Sequence, residues 1–180
     1  MSGVTGDAPT AGDTSSAGAG PAAGAGAGRP VLGDGGVAAD DAAVAVTELV
    51  AELQEGWDTH DADLTNRRFA ADLLWGSPFG AVLQGYEPLH QIHVRLKQEG
   101  RGGPASRYEV AAILSPAPDV IVTQVRRVAL GPDGEPVPPR PPAADASGTF
   151  SEMALYVLVR RDGRWWLAAG QNTLVLPPPG

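Results

Sequence analysis

The chain has no cysteine, which excludes disulfides, thiolate metal sites and a cysteine nucleophile, and leaves redox chemistry silent about its compartment. Lysine occurs once, at Lys97, and 13 basic residues face 21 acidic ones for a formal net charge of −8. Such a balance argues against a nucleic-acid partner, because neutralising phosphates takes clustered Lys and Arg. Arg67–Arg68, Arg126–Arg127 and Arg160–Arg161 are separate pairs, not a stripe. Long apolar runs are missing too, and the amino terminus has neither a basic region nor an apolar core. No membrane span and no secretory signal are expected, and a soluble cytoplasmic protein is the default. No glycine-rich dinucleotide fingerprint, phosphate-binding loop or G-x-S-x-G elbow occurs, so no cofactor is expected. His and carboxylates show no ligand spacing, so no metal is expected either.

What is present suffices for one domain: 180 residues, 43% of them hydrophobic. Residues 1–37 are Ala, Gly, Ser, Thr and Pro with few large side chains. Such a segment buries too little surface to offset about 1–2 kcal/mol of backbone entropy per residue, so it reads as a disordered tail. Residues 38–176 read as the domain and 177–180 as a short tail.

Val46, Leu49, Val50, Leu53 and Trp57 recur at three- and four-residue spacing, predicting an amphipathic helix from Asp40 to about His60, capped by Asp40 or Asp41. A short helix, 62–69, follows with Asp61 as its N-cap. The organising stretch is Asp72 to Leu96. A strand over 72–77 ends at Pro78, Phe79 and Gly80 form a corner, and a second strand runs back over 81–84. Gly85 ends it, and Pro88 opens a helix reaching residue 99. Leu89, Ile92, His93 and Leu96 share a face of that helix, apolar except for one imidazole.

Strands are then predicted over 107–114, 120–130, 149–160 and 164–176, the last two joined by an Asp162-Gly163 turn. Between the second and third of these, 131–148 is Pro-rich and reads as a mobile loop. The order ααββαββββ defines an α+β domain: a curved, mostly antiparallel sheet wrapped on helices, enclosing a cavity open at one end.

Several motifs carry a resemblance. WGSPFG, GYEPLHQIHVRL and RRDGRWWLAAGQNT, with a Trp near the end of the first helix, are similar to the nuclear transport factor 2-like superfamily of cone-shaped, cystatin-like domains. Within it they resemble the SgcJ/EcaC group, related to SnoaL-like proteins. The resemblance covers about residues 40–175. It implies a homodimer through the exposed sheet face and a pocket for a small apolar, polyketide-like molecule. It does not fix a reaction, since the superfamily holds isomerases, dehydratases, cyclases, hydrolases and proteins that only bind or dimerise, and some members of the group are called oxidoreductases. In the ketosteroid isomerase branch a catalytic Asp precedes the proline of the corner. Here that position is Ser77, which has no base beside it, and this disfavours the isomerase reading.

The candidate site follows from face assignments. Strict alternation along the last strand puts Trp165, Leu167, Ala169, Gln171 and Thr173 on the helix-facing side. Gln171 then either orients a ligand or satisfies the structure. His93 is either a proton acceptor, a role also implied by the resemblance, or a core histidine satisfied by its neighbours. Ser77 and Gln171 are expected to orient a substrate. Trp57, Trp75, Phe79, Tyr86, Met153, Tyr156 and Trp165 are candidate pocket walls, with plain packing as the other reading. His60 and His90 are expected to be exposed. Glu109 and Arg126 are expected near Glu152 and Tyr156, register permitting. Two functions remain open: a small-molecule pocket with cofactor-free acid–base chemistry, and a dimerisation or ligand-sensing module without turnover.

Overall fold

The computed structural model describes residues 30–98, 105–139 and 149–178. The tail over 1–29 and part of the Pro-rich loop, 140–148, lie outside the described residues. The elements are α1 (Ala39–Asp58), α2 (Ala62–Thr65), β1 (Phe69–Gly76), β2 (Val82–Gln84), α3 (Tyr86–Gln98), β3 (Ser106–Ala117), β4 (Val120–Ala129), β5 (Glu152–Arg161) and β6 (Arg164–Leu174). Their order is the predicted one. The six strands form a single curved sheet in the order β2-β1-β6-β5-β4-β3, antiparallel except where β1 meets β6.

The apolar stripe of α1 is what seats it. Ala42, Ala45, Val46, Leu49 and Leu53 are buried together with Leu89 of α3 and the inward residues Ile121, Val125, Ala154, Tyr156, Leu158 and Leu167 of the sheet. Each fully buried Leu, Ile or Val contributes about 1.5–3 kcal/mol. Both long helices therefore cover one face. Asp40 and Asp41 do not cap α1: Ala38 holds the N-cap position without a side-chain bond, and the two carboxylates act from the first turn, against the positive helix end. Asp61 does cap α2, accepting from Leu64 N at 3.0 Å.

α2 stops at Thr65, and β1 begins at Phe69, earlier than the predicted strand. α3 also starts early, at Tyr86, with Pro88 in a first turn whose N–H groups need no helical partner. β3 runs past the predicted end at residue 114 and through Pro116. It is an edge strand, and its pairing with β4 is irregular between Leu114 and Ala117, so the missing N–H breaks no regular ladder.

Elsewhere on the free edge of β3, the Gln54 amide of α1 stands in for a neighbouring strand. It donates to Ser106 O and accepts from Tyr108 N, both at 2.9 Å. At the far end, Gly33–Gly35 form a 3-10 turn, and Val37 N donates to Ser115 Oγ at 2.8 Å. Residues 33–37, assigned to the tail by composition, are thus anchored to β3.

The Asp162-Gly163 turn has φ of 53° and 75°, the pair of positive angles that a two-residue hairpin turn requires. Residues 131–137 fold back on the end of β4, with Val137 N donating to Ala129 O at 2.9 Å, so the described part of the Pro-rich loop is a turn and not an open excursion.

Candidate functional site

Trp75 is the floor of the inner face. Its ring stacks on Phe69 and on Tyr156, with centroids 5.5 and 6.1 Å away. His93 meets Trp75 and Phe69 edge to face at 6.0 and 6.3 Å. The helix face that carried a lone imidazole in the sequence therefore delivers it to an aromatic wall. Burial, with Lys97 and His90 adding like-charge repulsion, lowers the His93 pKa to about 4. Its ring is neutral at pH 7.

Three side chains run in a line behind that ring. Asn66, 1% exposed, lies between two histidines, its Oδ1 at 2.8 Å from His93 Nδ1 and its Nδ2 at 2.9 Å from His90 Nδ1. The far nitrogen of His90, Nε2, is 3.2 Å from Asp63 Oδ1. His90 is not exposed as expected, because Tyr86 stacks on it at 5.0 Å. His60 is exposed, in the turn between α1 and α2.

Across the sheet lies a polar row. Tyr108, Arg127 and Glu152 sit side by side on β3, β4 and β5. Arg127 Nε donates to Glu152 Oε2 at 2.8 Å, Nη1 donates to Ser106 Oγ at 3.0 Å, and the guanidinium lies between the Trp57 and Phe150 rings at 4.6 and 5.5 Å. Tyr108 meets Trp57 edge to face at 6.2 Å. Burial pushes the Tyr108 and Tyr156 hydroxyls well above the ordinary phenol value, so both remain proton donors at neutral pH. The sequence reading named Arg126 and Glu109 here. Those two pair with each other across β3 and β4, and it is Arg127 that meets Glu152.

Gln171 is corrected by a single residue. β6 carries a bulge: Val157 pairs with Ala169 and Leu158 with Leu167, which leaves Ala168 extra. Every later side chain changes face. Gln171 is exposed on the outer side, where Nε2 donates to Asn172 O at 2.9 Å, while Asn172 is turned inward and 9% exposed. Met153 also faces outward, since Ala154 and Tyr156 are the buried residues of β5. Ser77 Oγ accepts from Phe79 N at 3.3 Å and from Ala81 N at 3.0 Å and so holds the corner. Phe79 is 51% exposed and rests edge to face on Phe150. Trp57, Trp75, Tyr156 and Trp165 are on the inner side as expected, Trp165 packing on the core.

The inner face thus gathers His93, Tyr108, Tyr156 and Asn172 around the Trp75 floor and the Arg127–Glu152 pair. No described side-chain N or O that is buried lacks a hydrogen-bond partner. Yet His93 Nε2, both tyrosine hydroxyls and the Asn172 amide have no partner among the described residues. Each of these groups must therefore touch open space. Asn66, Arg127 and Asn172 were missed in the sequence. Only Arg127 left a trace there, as half of an Arg pair.

A separate groove of about 400 Å3 lies beside α2 and the end of α3, lined by residues including His60, Asp61, Asp63, Lys97 and Gln98. Among the described residues no cluster of His, Asp or Glu could hold a metal ion, and no helix is long and apolar enough to cross a membrane.

No family model matches the chain, and no curated protein does. Solved structures do match. An uncharacterised protein with a cystatin-like fold from Caulobacter vibrioides is 19% identical, with 76% of this chain and 92% of that chain covered and a TM-score of 0.55. A domain of unknown function with a cystatin-like fold from Nostoc punctiforme is 17% identical, over 79% and 81%, with a TM-score of 0.63. A ketosteroid isomerase-like protein from Erwinia carotovora atroseptica is 12% identical, over 74% and 96%, with a TM-score of 0.56. At such identities the likeness is one of fold, and the fold of this chain is the cystatin-like one.

Proposed function

We propose that the inner face binds a small, largely apolar molecule, flat and polyketide-like, that carries at least one oxygen as hydrogen-bond acceptor. One observation carries the reading: four inward side chains present polar groups that no described residue satisfies, and two of them, His93 and Tyr156, lie directly against the Trp75 ring. Buried polar groups are otherwise paired, so a cluster of unpaired ones marks space for water or ligand. Tyr108 and Tyr156 offer donors, neutral His93 offers an acceptor, and Asn172 offers either. This fits the SgcJ/EcaC resemblance, with Asn172 in place of Gln171 and the tyrosines in place of Ser77 as orienting groups.

Binding is favoured over turnover by the state of His93. A ring that resists protonation down to about pH 4 is a hydrogen-bond acceptor first and a weak proton store. Cofactor-free acid–base catalysis on this site requires the ligand to supply negative charge that raises that pKa as the proton moves. The second reading, a dimerisation module, is favoured by exposed Val110, Ile113, Leu114 and Leu155 on β3 and β5.

A thermal-shift screen of aromatic polyketides and steroids tests the first reading. A ligand at a hundred times its dissociation constant stabilises by about 2.7 kcal/mol, or about 5–11 °C for a chain of this size. The shift is expected in the wild type and is reduced in Tyr156→Phe and in His93→Gln. A shift retained in full by both variants places the ligand elsewhere.

A further inference from the structure

The line of side chains behind His93 decides more than its position. The deduction starts at Asp63, because a carboxylate only accepts hydrogen bonds. His90 Nε2, 3.2 Å from Asp63 Oδ1, must carry a proton. A neutral imidazole has a single N–H, so His90 Nδ1 is an acceptor and Asn66 must turn its NH2 group toward it, at 2.9 Å. The Asn66 Oδ1 then faces His93 Nδ1 at 2.8 Å, which must be the N–H of that ring. The lone pair of His93 is left on Nε2, the nitrogen without a partner.

The same line has a second self-consistent state. If His90 takes a proton from solvent, both its nitrogens donate, and Asn66 must present Oδ1 to it. The amide turns over, its NH2 faces His93 Nδ1, and that nitrogen must now accept. The proton of His93 moves from Nδ1 to Nε2 through solvent exchange. His90 has gained one proton and His93 none.

We infer that Asp63, His90 and Asn66 form a tautomer selector for His93, which presents a hydrogen-bond acceptor to the inner face while His90 is neutral and a donor once His90 is charged. The inference rests on the reading of His93 as a ligand-facing group, and it adds a specificity. A ligand hydroxyl is matched in the first state, and a carbonyl oxygen in the second. The groups that bear on the balance are Asp63 from α2 and Tyr86, Glu87, His93 and Lys97 from α3. Lys97 opposes charge on His93. Asn66, His90 and Asp63 are positioning residues; none is argued to touch the ligand.

The chain has 3 histidines, so their ring nitrogens can be followed one by one by NMR of the full chain labelled with 15N-histidine. His60→Gln and His90→Phe provide the assignments. At the high-pH plateau of His90, His93 is expected to show a protonated Nδ1 and an unprotonated Nε2. As pH falls the two signals exchange character, with the same midpoint as the His90 titration. In Asn66→Asp a carboxylate accepts from both rings, and His93 keeps its Nδ1 proton throughout. An Nε2 proton on His93 at high pH, or no exchange across the His90 titration of the wild type, overturns the selector. A merely structural Asn66 would stabilise the fold without linking the two rings. The titration is read on the wild type and needs no ligand. Exchange without any binding compound therefore sinks the ligand reading alone, and His93-dependent binding without exchange sinks the selector alone.

Discussion

Burial of a neutral His93 should leave its mark on stability against pH. In the native state the ring stays neutral down to about pH 4, whereas the unfolded ring takes up a proton near its ordinary value of 6.5. Between those limits unfolding binds a proton, so stability falls as pH falls. The contribution is complete above 6.5 and lost progressively toward 4. At pH 5 the unfolded ring carries about 0.9 more proton than the native one, and integration from neutrality gives a loss of about 2 kcal/mol. That corresponds to a midpoint lowered by about 4–8 °C in a chain of this length. His93→Gln removes the titration while leaving an amide to meet Asn66. Urea unfolding of both proteins at pH 7, 6 and 5 gives the stability difference directly, and the carboxylates common to both cancel. The wild type is expected to lose about 2 kcal/mol relative to the variant between pH 7 and 5. Parallel profiles would show that the ring is solvated in the native state, and a relative gain would show that it holds a negative partner there. Either outcome refutes a neutral His93 facing the inner wall.

Two further perturbations probe the frame of the site. Arg127→Leu strands the Glu152 carboxylate beside its lost partner and should cost about 3–5 kcal/mol, with most of it recovered when Glu152→Leu is added, as read by urea unfolding. Gly170→Ala places a methyl carbon 2.7 Å from Trp75 Cζ3 and 2.8 Å from Cε3, so the floor ring must shift. That should cost about 1–3 kcal/mol and change the near-ultraviolet circular dichroism of the tryptophan stack.

Helical periodicity was readable because each residue of α1 answers to its own neighbours. Val46, Leu49 and Leu53 declare a face whatever lies opposite, and His93 could be placed among Leu89, Ile92 and Leu96 on the same ground. The Asp162-Gly163 turn was readable because the positive φ values it needs are a local demand. Asn66 was invisible by contrast. It follows α2 as an ordinary polar residue, and its role exists only because α3 brings His90 and His93 to either side of it.

The misplacement of Gln171 shows where pattern reading fails on physical grounds. Alternation along a strand counts residues, but the face each one occupies is set by its partner strands. The pairing of β6 with β5 is regular up to Leu167, and the extra Ala168 then adds one residue that β5 does not match. Nothing in Trp-Trp-Leu-Ala-Ala-Gly marks the position, since either Ala fits a bulge. The bulge has a structural use that the sequence does hint at. By changing the face it turns Gly170 inward at the level of Trp75, where an added side-chain carbon would collide with the indole, and it sets Asn172 opposite Ala154, beside the Tyr108–Arg127–Glu152 row. A strictly alternating β6 would put Ala169 and Gln171 there, with a methyl group against the stack and a longer amide in a narrower space. The aromatic floor and the inward asparagine therefore depend on the same irregularity, so the candidate site and the error in predicting it have one cause.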